Sequence, residues 1–101
     1  MLLAAKKRVY DSYSYTMNHP RDEAMYIYFQ VQEGIYDASF ACEQILNASG
    51  NRAMAIFYAY KRGWWNQSVE DTCRSIIDAP GDRSNAILFA KKDGWWVWPT
   101  Q

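Results

Sequence analysis

Net charge is the first thing this sequence lacks: eleven lysines and arginines face eleven aspartates and glutamates. With no global field to hold a polyanion or an acidic membrane surface, any nucleic-acid binding has to be local and weak. Histidine occurs once, at His19, and cysteine twice, at Cys42 and Cys73. Without C-x-x-C spacing, that set cannot fill a closed zinc site unless carboxylates help, so neither a metal nor a cofactor is expected. The five glycines stand singly, which excludes a glycine-rich phosphate cradle. No apolar run is long enough to cross a membrane, and the opening "MLLAAKKR" is too short in apolar residues for a signal peptide. The expectation is a soluble, cytoplasmic protein.

Catalytic chemistry is equally thin. A nucleophile system at His19 would need a thiol or hydroxyl and a third, orienting group, and the stretches that match its surroundings carry alanine in its place, at Ala48 and Ala79. Asp37 and Asp71 suit helix N-termini, and Glu33 and Asp93 suit turns, so each carboxylate has a local structural role and no acid/base pair stands out. The sequence reads as a non-enzyme.

What is there is apolar and aromatic. Half of the 101 residues are hydrophobic and 17% are aromatic, with five tryptophans, enough to build one domain with its own core. Moreover, "CEQILNASGNRAMAIFYAYKRGWW" at 42–65 matches "CRSIIDAPGDRSNAILFAKKDGWW" at 73–96 without a gap, with twelve identities in 24 positions. A fainter match joins 9–29 to 69–89 through valine, aspartate, proline, a second aspartate, isoleucine and phenylalanine. These matches predict a single α+β domain of three tandem units of about thirty residues, at 4–36, 37–65 and 66–98.

Each unit reads as a helix followed by a β-hairpin. In the third, Ser68 caps a helix whose buried stripe is Val69, Cys73, Ile76 and Ile77, and Pro80-Gly81-Asp82 stops it. In the second, Asp37 caps and Ala38, Cys42, Ile45 and Leu46 form the stripe, the cysteines acting as small apolar filler. The stripe of the first unit is Val9, Tyr13, Thr16 and Met17. The runs "AMYIYFQV", "AMAIFYAY" and "NAILFAKK" look like strands, each closed by a two-residue turn at Glu33-Gly34, Arg62-Gly63 or Asp93-Gly94. The helices would cover one face of an antiparallel sheet, although the alanines would also allow the faces to be exchanged.

The other sheet face would carry Tyr26, Tyr28, Ile35, Phe57, Leu88, Trp64, Trp95 and Val97, with lysines at the turn tips, and Tyr26, Tyr28, Phe57, Trp64, Trp95, Lys61, Arg62 and Lys92 are the candidate binding residues. Tryptophan and tyrosine beside a few basic groups are favoured at interface hot spots, which points to a protein-binding module. Small inhibitors of larger proteins, of the kind phages and mobile elements carry, are one such population. The alternatives are single-stranded nucleic acid stacked on Trp64 and Trp95, or a structural homodimer or larger homo-oligomer. The places that diverge between units are the tyrosine-rich first helix (Tyr10, Tyr13, Tyr15), the "NHPRD" loop and the turn tips, where Gln32-Glu33, Lys61-Arg62 and Lys92-Asp93 replace one another, so specificity is expected there beside the outer tryptophans.

Overall fold

A computed structural model describes residues 17–97, and these form five helices: α1 (Glu23–Gln32), α2 (Ala38–Leu46), α3 (Arg52–Arg62), α4 (Val69–Ile77) and α5 (Arg83–Lys92). Among the described residues there is no strand. The α+β expectation is thus overturned, and with it the reading of the chain as tandem helix–hairpin repeats. The predicted stripe of Val9, Tyr13 and Thr16 lies outside the described residues.

The two helices predicted in the second and third units are present as α2 and α4. Asp37 accepts the Phe40 N–H at 3.4 Å and the Ser39 hydroxyl at 2.7 Å, while Ser68 Oγ accepts from Asp71 N at 3.1 Å. Their stripes point inward, with Cys42, Ile45, Cys73 and Ile76 buried. Both cysteines are free thiols.

The three segments read as hairpins are α1, α3 and α5, and the glycines taken for hairpin turns end those helices. At each one the chain leaves through a left-handed residue with the paired hydrogen bonds of a Schellman cap. Gly63 has φ +91°, its N–H donates to Tyr60 O at 3.0 Å, and the Trp64 N–H reaches back to Ala59 O at 3.2 Å. Gly94 does the same through Lys91 and Ala90, and Gly34 through Val31 and Gln30. The N-terminal ends are capped by side chains as well: Asp22, Asn51 and Asp82 accept from the backbone N–H three residues on. A glycine preceded by basic residues fits a hairpin turn and a helix C-terminus equally well, because cations are favoured against the helix dipole there. The caps at the other end decide for helix.

Helices α1, α3 and α5 are successive neighbours in one layer, and α2 and α4 lie against them, α2 touching α1 and α3 and α4 touching α3 and α5. The middle helix α3 is therefore enclosed on several sides. Ala53, Met54, Ala55, Ile56, Phe57 and Ala59 are all buried on it, whereas α5 buries only Ala86 and Ala90. A helix enclosed in this way has no wide polar stripe, so its apolar run imitates a buried strand.

Neighbouring helices of this layer are tied at their starts. Asn51 N–H donates to Asp22 Oδ1 and Asp82 N–H donates to Asn51 Oδ1, both at 2.8 Å. Beside each of these, a first-turn amide is satisfied by the loop of the following helix pair: Ala24 N donates to Ser49 O at 2.9 Å and Ala53 N to Pro80 O at 3.1 Å. Orphan donors at a helix start are thus used to fix the spacing of one helix against the next. Gly81 makes this approach possible, since a Cβ there would lie 2.5 Å from Asn51 Cα.

Candidate binding surface

The tryptophans after the glycines set the geometry of the surface. Because Gly63 and Gly94 reverse the chain, Trp64 and Trp95 fold back on the preceding helix of the layer. Trp64 lies nearly parallel to Tyr28 of α1, with centroids 6.0 Å apart and an interplanar angle of 20°. Its indole N–H donates to Gln32 Oε1 at 3.0 Å. Trp95 lies against Phe57 of α3 at 6.0 Å and 17°, and 4.1 Å from Tyr60. Both indoles are half-buried wedges between helices rather than parts of an open aromatic platform.

Other predicted site residues fall in three places. Tyr28 and Phe57 are buried, and Arg62 Nε donates to Tyr28 Oη at 3.1 Å, so these join Trp64 and Trp95 in holding α1, α3 and α5 together. Tyr26 is exposed and borders a separate depression with His19, Arg21 and Ser49. Lys61 and Lys92 meet at a groove of about 290 Å³ between α3 and α5, lined also by Phe57, Tyr58, Phe89 and Asp93. Within it Lys61 Nζ is 3.6 Å from Asp93 Oδ2 and 5.8 Å from the centroid of the Phe57 ring. Burial, with Tyr28 and Asp82 adding to it, holds the Tyr58 phenol above its ordinary range. The phenol stays protonated, able to donate, at neutral pH.

Leu88, which the sequence reading set on the same outer face without naming it a binding residue, completes this surface. Leu88 of α5 stands where Phe57 stands on α3, 31 positions earlier, yet it is 48% exposed whereas Phe57 is 3% exposed. Phe57 is covered by Phe89 at 5.8 Å and by Trp95. Leu88 has an exposed neighbour in Lys92 one turn on, the counterpart of Lys61. The spacing of Leu88, Phe89 and Lys92 repeats that of Phe57, Tyr58 and Lys61 and was legible in the sequence; which of the two sets is covered was not.

Among the described residues no group of three or more histidines, cysteines, aspartates or glutamates could hold a metal ion. The Cys42 thiol donates to Trp64 O at 3.5 Å, and burial pushes its pKa up, which disfavours the thiolate a nucleophile would need. Among the described residues no helix is long and apolar enough to cross a membrane. Comparison with protein-family models, with curated proteins and with solved structures finds no match to this chain.

Proposed function

We propose that this chain is a non-catalytic protein-binding module that acts by covering part of the surface of a larger partner. The observation that carries this reading is the outer stripe of α5, where Leu88 stands exposed in the position that Phe57 holds covered on α3, with exposed Lys92 one turn on. An apolar side chain flanked by a cation at the rim is the composition of a small hot spot. The nucleic-acid reading has less support. The indole rings it would use are engaged with Tyr28, Phe57 and Tyr60, and Lys61 and Arg62 already have partners.

The test is photo-crosslinking from the face itself. The full chain carrying a photoreactive amino acid at position 88 is irradiated in lysate of the encoding organism, before and after nuclease. A chain carrying the same group at exposed Glu70 of α4 is the control. A nuclease-resistant protein adduct from position 88 alone supports the reading. Adducts of equal yield from both positions, or nuclease-sensitive ones, refute it.

A further inference from the structure

The geometry points to a particular partner chemistry for this face: a helix end in which an acidic residue, a glycine and a tryptophan follow one another. This inference rests on the protein-binding reading and deepens it. Its basis is that the molecule contains the same face in an occupied state. On α3, the stripe of Phe57 and Lys61 meets the C-terminal half of α5 and the segment that leaves it, which cover Phe57 and reach Lys61. Asp93 supplies the carboxylate at 3.6 Å from Lys61, Gly94 with φ +86° reverses the chain, and Trp95 lies on Phe57 at 6.0 Å. Asp-Gly-Trp therefore supplies in three residues the charge, the reversal and the ring that this stripe accepts.

The preceding helix pair shows which part of the pattern is constant and which part selects. There Gly63 and Trp64 perform the same reversal and the ring lies on Tyr28, but the residue before the glycine is Arg62. The α1 position matching Lys61 is Gln32, which accepts from the Trp64 indole, and Arg62 finds Tyr28 Oη instead of a carboxylate. So glycine and tryptophan recur, while the residue before them is matched to the side chain it meets: arginine where that side chain is neutral, aspartate where it is lysine. On α5 the corresponding side chain is Lys92. By the same matching, the residue that precedes Gly-Trp in the occupant is acidic.

The extent of the docked segment follows from α5. Where α3 buries Ala53 and Met54, α5 carries exposed Ser84 and Asn85, and Asn85 Nδ2 donates back to Asp82 at 2.6 Å. The N-terminal half of α5 is thus a solvated face, and docking is confined to exposed Leu88 and Lys92. A single helix end fits that area. A second copy of this chain is a poor occupant, since its Asp93 and Trp95 are already spent on Lys61 and Phe57.

The probe is a fluorescein-labelled synthetic peptide with the sequence of residues 83–96, RSNAILFAKKDGWW, titrated with the full chain and read by fluorescence anisotropy. Saturable binding is expected. In the peptide, Trp95→Ala lowers affinity by about thirtyfold, as loss of an interface tryptophan does, and Asp93→Lys lowers it severalfold. The chain variant Lys92→Glu should reverse that charge preference, binding the Asp93→Lys peptide better than the parent peptide. Absence of binding, or binding that ignores the charge reversal, overturns the inference. Sedimentation of the full chain gives a further arm: a dimer that Leu88→Asp dissolves makes a second copy the occupant and overturns it too. Failure here, with position 88 still crosslinking a protein, removes only the partner chemistry; loss of the crosslink removes the protein-binding reading itself.

Discussion

Replacing Gly81 with alanine tests the account of how neighbouring helices are held, with Gly94→Ala as its internal control. Both glycines have positive φ, +103° and +86°, so both substitutions carry the backbone penalty of an L-residue there, about 1–2 kcal/mol. The surroundings differ. A Cβ at position 94 meets nothing within 4 Å, whereas one at position 81 would lie 2.5 Å from Asn51 Cα and 3.0 Å from its carbonyl carbon. Those are backbone atoms of a helix cap and cannot rotate away. The loop must retreat, adding about 1–3 kcal/mol of overpacking strain and about 1 kcal/mol for the bond from Asp82 N–H to Asn51 Oδ1. Gly81→Ala should therefore lose at least about 2 kcal/mol more than Gly94→Ala, a large part of a domain stability of about 5–15 kcal/mol. In thermal unfolding followed by helical circular dichroism, that separates the midpoints by about 10 °C. Urea titration should show the same order with unchanged slopes. Equal losses in the two variants would refute the close approach, and with it the spacing mechanism.

Four further outcomes follow from the same contacts. Asn51→Ala removes one oxygen that serves both Met54 N and Asp82 N, at 3.3 and 2.8 Å, and should cost about 2–3 kcal/mol by urea titration, more than an ordinary lost cap. The double variant Trp64→Ala/Trp95→Ala should lower the thermal midpoint strongly, each truncated wedge costing about 2–3 kcal/mol; a midpoint like the parent's would return these rings to the role of an exposed platform. Cys42 and Cys73, both buried, should resist a thiol reagent at pH 8 in the folded chain and react together on unfolding. The Asp37 carboxyl is held below its ordinary range by the Ser39 hydroxyl and the Phe40 N–H, so its contribution to stability is complete above the unfolded pKa near 3.8 and fades as the pH drops through the lower folded value; Asp37→Ser, which keeps a capping oxygen without the charge, should flatten that part of a pH–stability curve.

How much of this was legible in the sequence varies with each helix's environment. Helices α2 and α4 lie on one side of the layer, so they keep a polar face and a periodic apolar stripe, and the sequence gives both their caps and their inward positions. Helix α3 is enclosed on several sides, and the dense run "AMAIFYAY" imitates a strand. Two features favour a helix even so: alanine pairs four apart, Ala55 with Ala59 in α3 and Ala86 with Ala90 in α5, and a length of 11 residues in α3, about twice a usual strand. The candidate site divided for the same reason. Sequence picked out the aromatic and basic residues, but their split between wedges, core and open face depends on which helices have a neighbour on their far side. Local pattern does not carry that.

The matching of positions also separates construction from selection. Residues that recur 31 positions apart, such as Gly63 with Gly94, Trp64 with Trp95 and Lys61 with Lys92, cap helices, wedge them together and rim the groove. Residues that change, Arg62 against Asp93 and Gln32 against Lys61, are those that meet the neighbouring helix: Lys61 pairs with Asp93, whereas Gln32 accepts from Trp64 and Arg62 donates to Tyr28. Arg62 in the place of Asp93 would set two cations together at Lys61, so the charge at the edge disfavours that pairing. If Lys61 and Asp93 are exchanged as a pair, stability should change by less than about 1 kcal/mol, because a partly exposed bridge contributes little in either direction. Lys61→Asp alone sets two carboxylates face to face at the mouth of the groove. Its loss should shrink as salt is raised from 0.01 to 1 M, where the screening length falls from about 30 to about 3 Å. A salt-independent loss would mean that Lys61 acts through its packing over Phe57 rather than through its charge.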